Sequence, residues 1–89
     1  MAIRTLNIIN EKGLHARASA KLVEVVEAHK GRADVRRDGM DASGDSIMGL
    51  LMLAASKGTS IEVETSGCDK DALLDAIEAL VANKFGEDF

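Results

Sequence analysis

The chain has 89 residues, a formal net charge of −4, 46% hydrophobic residues and no Trp, Tyr or Pro. That length predicts one domain, 1–89, burying about 60–65% of the surface its unfolded form exposes. The hydrophobic fraction excludes a disordered chain, and an acidic balance without a basic stripe or stacking aromatics excludes nucleic acid as partner.

The only aromatics, Phe85 and Phe89, stand near the C-terminus, so an aliphatic core is expected. Cys68 is the single cysteine and excludes an internal disulfide. No stretch approaches the roughly 20 apolar residues of a membrane span, and MAIRTLNIIN lacks the apolar run of a signal peptide. A soluble cytoplasmic protein with no membrane association is the expectation.

Ile3 to Ile9 is rich in β-branched and aliphatic residues and predicts a strand; Asn10 to Gly13 supplies turn chemistry. From Ala16 to about His29 the period becomes helical. Ala18, Leu22, Val23, Val25 and Val26 form an apolar face, and Gly31 fits a stop. Arg32 to Arg37 alternates, with Ala33 and Val35 on one side. Its arginines, interrupted by Asp34 and followed by Asp38, read as a solvated strand edge. Asp38-Gly39 signals a tight hairpin, and Met40 to Ser43 is the return strand.

Ser46 opens a second helix, Ile47 to about Ala55, which Lys57-Gly58 closes. Ser60 to Ser66 predicts a half-buried strand with Ile61, Val63 and Thr65 on one face. Asp69 is placed to cap a last helix carrying Leu73, Leu74, Ile77, Leu80 and Val81, which Gly86 ends. The order is βαββαβα. An α+β fold is expected: an open-faced sandwich with one four-stranded antiparallel sheet and three helices on one face.

The chemistry concentrates in Gly13-Leu14-His15-Ala16-Arg17-Ala18-Ser19-Ala20. His15 falls where the cap of the first helix belongs, although Ser, Thr, Asp or Asn is the usual choice there. The free amides of Ala16, Arg17 and Ala18 and the positive helix end then make an anion site around the ring. Its field favours a neutral, nucleophilic imidazole and, afterwards, a negative phosphoryl group. Arg17 can add a forked contact to the same oxygens. On spacing alone, an exposed loop histidine remains the simpler interpretation.

No metal site is expected, because His29 lies fourteen residues from His15 and neither has a carboxylate or thiol cluster. His29 reads as a surface residue near a helix C-terminus. Ser46 is a natural cap in its own right. Beside it, Ile47, Met48 and Leu51 could form the apolar part of a partner-docking face, with Leu50 and Leu53 in the core.

GLHARASA at 13–20, SIMGLLML at 46–53, ASKGTSIEVE at 55–64 and the element order resemble HPr, the histidine phosphocarrier family of the bacterial phosphoenolpyruvate-dependent phosphotransferase system. The resemblance covers essentially the whole chain. It implies strand order 1-4-2-3 and phosphorylation of His15 on Nδ1 by phospho-Enzyme I, assisted by Arg17. Transfer to an EIIA-type acceptor would follow, without a cofactor and without enzymatic turnover. Ser46 would match the serine modified by HPr kinase/phosphorylase in some bacteria. A monomer is expected.

Two features depart from the usual family pattern. Ala18 replaces the proline that commonly follows the arginine, and the first helix carries Glu24 and Glu27 where many carriers place lysines. Those glutamates, the LLML–ASKG–IEVE run and the acidic tail Gly86-Glu87-Asp88-Phe89 lean towards the nitrogen-related branch, NPr. The alternative to a carrier is a regulatory interaction domain on the same fold that has lost phosphoryl transfer; His15 and Arg17 argue against it.

Overall fold

The computed structural model describes residues 1–89. Its elements run β1 (Ala2–Asn7), α1 (Ala16–Glu27), β2 (Arg32–Arg37), β3 (Met40–Ser43), α2 (Ile47–Met52), β4 (Ser60–Ser66) and α3 (Lys70–Ala82). A short 3₁₀ turn, Lys84–Gly86, follows. The strands form one antiparallel sheet of order β1-β4-β2-β3, as expected. β1 and β2 leave a gap, spanned by the α1 connection, which β4 enters between them.

Strand register puts the period-2 pattern to use. Leu6 pairs with Ile61, Val35 with Val63 and Ala33 with Thr65, so these side chains share the helix-covered face and are buried. Thr65 keeps its hydroxyl there by donating to the Lys70 carbonyl at 2.8 Å. From α1, Ala18, Leu22, Val23 and Val26 enter the same core; from α3, Leu73, Leu74, Ile77 and Val81. Val25 and Leu80 are only partly buried, at the flanks of those helical stripes. Arg4 shares the face of Leu6 but reaches over the core edge to Asp75 and Glu78 of α3 at 3.0 and 2.6 Å.

The core is not wholly aliphatic. Phe85, beyond α3, is fully buried, whereas Phe89 is exposed. Nor is the arginine cluster a sheet edge, because β2 lies between β4 and β3. Arg36 instead spans the open face, meeting Glu64 at 2.7 Å and Glu62 and Asp41 at 3.2 Å. Arg37, on the inner side, donates to the Leu53 carbonyl at 3.0 Å.

Several boundaries move. β1 ends at Asn7, although Ile8 continues the pairing through Thr59 and Gly58. α1 ends at Glu27 with Ala28 as its cap, so Gly31 is not the stop; an added Cβ there would meet the Ser66 carbonyl at 2.8 Å. Close strand approach explains that glycine. α2 has only six residues and leaves the helical path at Ala54, with φ of 51°, before Lys57-Gly58 is reached. α3 stops at Ala82, ahead of Gly86. Asp69 occupies the cap position of α3, but its carboxylate accepts the Lys30 amide at 3.0 Å instead of capping. The hairpin is as expected: Asp38 and Gly39 have φ of 50° and 79°.

Candidate functional site

The segment between β1 and α1 is tied down on both sides of the turn. Gly13 has φ of 63°, and a Cβ there would lie 2.4 Å from the Ala55 carbonyl oxygen, so glycine is required on both counts. That carbonyl accepts the Leu14 amide at 2.8 Å, and Leu14 is itself buried. The sequence after α2 therefore anchors the residue immediately before His15.

His15 is the N-cap of α1, with extended backbone (φ −80°, ψ −176°) and no side-chain capping bond. Its carbonyl accepts the first helical bond, from Ser19 at 2.8 Å. The amides of Ala16, Arg17 and Ala18 precede that bond and are the unpaired donors of the helix start. Ala18 is fully buried, and because α1 opens at Ala16 it falls within the first helical turn.

The ring is part-buried, its side chain 26% exposed. Its Nε2 pairs with Glu87 Oε2 in a short contact, while Nδ1 has no hydrogen-bond partner in the protein. Glu87 Oε1 accepts a bond from Asn10 Nδ2 at 2.9 Å. The Asn10 amide, against the cost of burial and with help from the His15 ring, holds the Glu87 carboxyl below the usual carboxylate range.

Asn10 is fully buried, and its Nδ2 also donates to the Gly13 carbonyl at 2.9 Å. These two acceptors fix the amide orientation, because turning it over would set oxygen against oxygen twice. Asn10 Oδ1 is then left without a partner, a buried acceptor of the kind that costs about 1–3 kcal/mol.

The C-terminal turn brings Glu87 to the ring. Lys84, Phe85 and Gly86 all have left-handed backbone, with φ of 55°, 55° and 78°. Such a conformation is costly for a bulky side chain. Burial of Phe85, the Lys21 Nζ bond to its carbonyl at 2.6 Å and the Glu87 amide bond to the Lys84 carbonyl at 2.9 Å hold it.

Sequence reading missed both Glu87 and Asn10. The available signal was Phe85, an aromatic just past α3, where burial ties the tail down. The carboxylate also opposes the positive helix field at the ring, a counter-charge absent from the expectation built on the helix alone.

Arg17 is exposed and has no side-chain partner in the protein. It lines an open basin of about 280 Å³ with Lys12, Lys21, Glu87 and Asp88. Ser46 caps α2, its Oγ accepting the Gly49 amide at 3.1 Å. Ile47 and Met48 are exposed, and Leu51 is half-buried. Met52, not singled out from the sequence, is also exposed, while Leu50 and Leu53 are core residues. His29 is half-buried, with Nδ1 beside the Val25 carbonyl at 2.8 Å.

The family model for the PTS HPr component phosphorylation site matches residues 3–83. The chain belongs to the HPr family. It is 45% identical to the phosphocarrier protein HPr of Cupriavidus necator over 98% of each chain. It is 38% identical to the phosphocarrier protein NPr of Proteus mirabilis over 96% of each. Among solved structures, an HPr from Thermoanaerobacter tengcongensis superposes with a TM-score of 0.94 and 31% identity over the whole of both chains. HPr proteins of the phosphotransferase system are intermediates of phosphoryl transfer, not enzymes that turn over substrate, and that is the role of this chain. No helix is long and apolar enough to cross a membrane.

Proposed function

We propose that His15 accepts a phosphoryl group on Nδ1 from phospho-Enzyme I and passes it to an EIIA-type acceptor. The observation that carries this is a ring at the head of α1 with one nitrogen paired and Nδ1 unpaired, beside free helix-start amides. Little covalent chemistry falls to the carrier itself, because transfer needs position and charge stabilisation. The Ala16, Arg17 and Ala18 amides and the Arg17 guanidinium supply that stabilisation.

Each such contact typically contributes a few tenths to about 2 kcal/mol, weak enough for the group to leave again. Ile47, Met48 and Leu51 are the apolar part of the docking face, since α2 packs on α1 and its following segment holds Leu14. The protein acts as a cytoplasmic monomer.

Ser46 is proposed as a regulatory phosphorylation site. A phosphate on the cap oxygen would replace its bond to Gly49 and place two negative charges beside Ile47 and Met48. Inhibition would then come from repulsion and desolvation at the docking face, with the fold intact.

Incubation with phosphoenolpyruvate and matched Enzyme I, followed by intact-mass measurement, tests the carrier role. An acid-labile gain of one phosphoryl group, absent in His15→Ala, is expected. An unmodified wild-type chain alongside a competent donor refutes the role. Adding sugar-uptake and nitrogen-related EIIA proteins in separate reactions shows which branch drains the label.

A further inference from the structure

We propose that Glu87, held by Asn10, is a positioning residue that selects which nitrogen of His15 reacts. This assignment rests on the carrier role proposed above and adds to it a residue 72 positions away in the sequence.

An ionised carboxylate can only accept hydrogen bonds. Glu87 Oε2 meets Nε2, so the proton of the neutral ring is kept on Nε2 and the lone pair stands at Nδ1. The carboxylate also covers Nε2, leaving Nδ1 as the nitrogen that can approach a phosphorus atom.

In the transfer step the Nδ1 lone pair forms the new N–P bond. The donor's bond to phosphorus breaks, and its electron pair stays on the donor atom. The Nε2 proton remains between ring and carboxylate, so positive charge gained by the phosphorylated ring faces a fixed negative charge. Passing the group on reverses each change, and Glu87 returns to holding a neutral ring.

Three contacts preset this geometry. Asn10 Nδ2 occupies Oε1 and leaves Oε2 for the ring. Buried Phe85 anchors the left-handed turn, and Lys21 Nζ secures the Phe85 carbonyl. The Glu87 side chain is 13% exposed, which limits competition from water.

Substituting Glu87 by glutamine gives an inverted outcome that a merely structural role would not produce. Asn10 would hold the amide oxygen, turning the amide nitrogen, a donor, towards the ring. Nε2 would then have to accept, and the ring proton would move to Nδ1.

The test is nitrogen-15 NMR of ring-labelled protein at alkaline pH, where an imidazole carries one proton. It is paired with phosphorylation by phosphoramidate, a small donor that imposes no docking geometry. Wild type should show the Nε2–H tautomer and a single Nδ1 adduct. E87Q should move the ring towards Nδ1–H and accept phosphate about tenfold more slowly, the scale of one charge-assisted hydrogen bond. E87A, with no side chain to aim, should show mixed tautomers and adducts on both nitrogens.

Wild-type tautomer and adduct patterns in both variants, with circular dichroism showing the fold retained, would overturn the assignment. A wild-type chain unable to take phosphate from phospho-Enzyme I would refute the carrier role separately, since the tautomer is read on unphosphorylated protein.

Discussion

Replacing Phe85 by alanine tests whether the C-terminal turn belongs to the core or merely lies on it. The side chain is fully buried and is the only aromatic in the interior. A phenylalanine buries roughly 150–250 Å². At about 25 cal/mol per Å² this is about 4–6 kcal/mol, an upper estimate for the whole side chain. Alanine recovers part of it and leaves a cavity, so a loss of about 3–5 kcal/mol is expected.

Backbone strain largely cancels in this comparison, because alanine at φ of 55° is as disfavoured as phenylalanine. A domain of this size has a total stability of about 4–13 kcal/mol, so the variant should lose a large fraction of it. Urea titration reads the free energy, and thermal unfolding should shift by about 15–30 °C. The same variant should release Glu87 from His15, visible as a change in the ring nitrogen shifts. A loss below about 1 kcal/mol would refute the idea that burial of Phe85 stabilises the turn.

Gly13→Ala should destabilise by more than about 2 kcal/mol, because its Cβ would sit 2.4 Å from the Ala55 carbonyl oxygen at a φ of 63°. A near-neutral urea midpoint would contradict this. Ser46→Ala should cost about 1 kcal/mol through loss of the Gly49 cap bond, and Ser46→Asp should retain most of it, compared by urea titration. Arg17→Ala should change stability by less than about 0.5 kcal/mol, since the side chain is exposed, while slowing phosphoryl acceptance in the Enzyme I assay. For pH, Glu87 is held below its ordinary value of about 4.5 by Asn10 and then by His15, so its contribution is present above that value and lost as pH falls through the folded one. The gap in urea midpoint between wild type and Glu87→Gln should therefore close on acidification below about pH 4.5; a constant gap would contradict the assigned contact.

Much of this protein can be read from neighbouring residues. The alternation of Ile61, Val63 and Thr65, the Asp38-Gly39 hairpin, the helical stripe of Leu73, Leu74, Ile77 and Val81, and His15 at a helix start all depend on local backbone preference and period. These were legible because each signal is complete within a few residues. The helix ends were less so. Gly31 and Gly86 resembled stops, yet α1 ends at Glu27 and α3 at Ala82. Gly31 is instead held to its small size by a strand approaching from far along the sequence.

Tertiary structure alone decided what meets His15. Sequence patterning determined that an imidazole stands at the head of α1; it carried no sign that a carboxylate from the last turn would cover one of its nitrogens. That contact exists because Phe85 is drawn into the interior and forces three successive residues into left-handed backbone, reversing the chain towards Asn10. Local propensity opposes such a turn, and burial of a side chain beside α1 and α3, with the Lys21 bond to the Phe85 carbonyl, holds it in place.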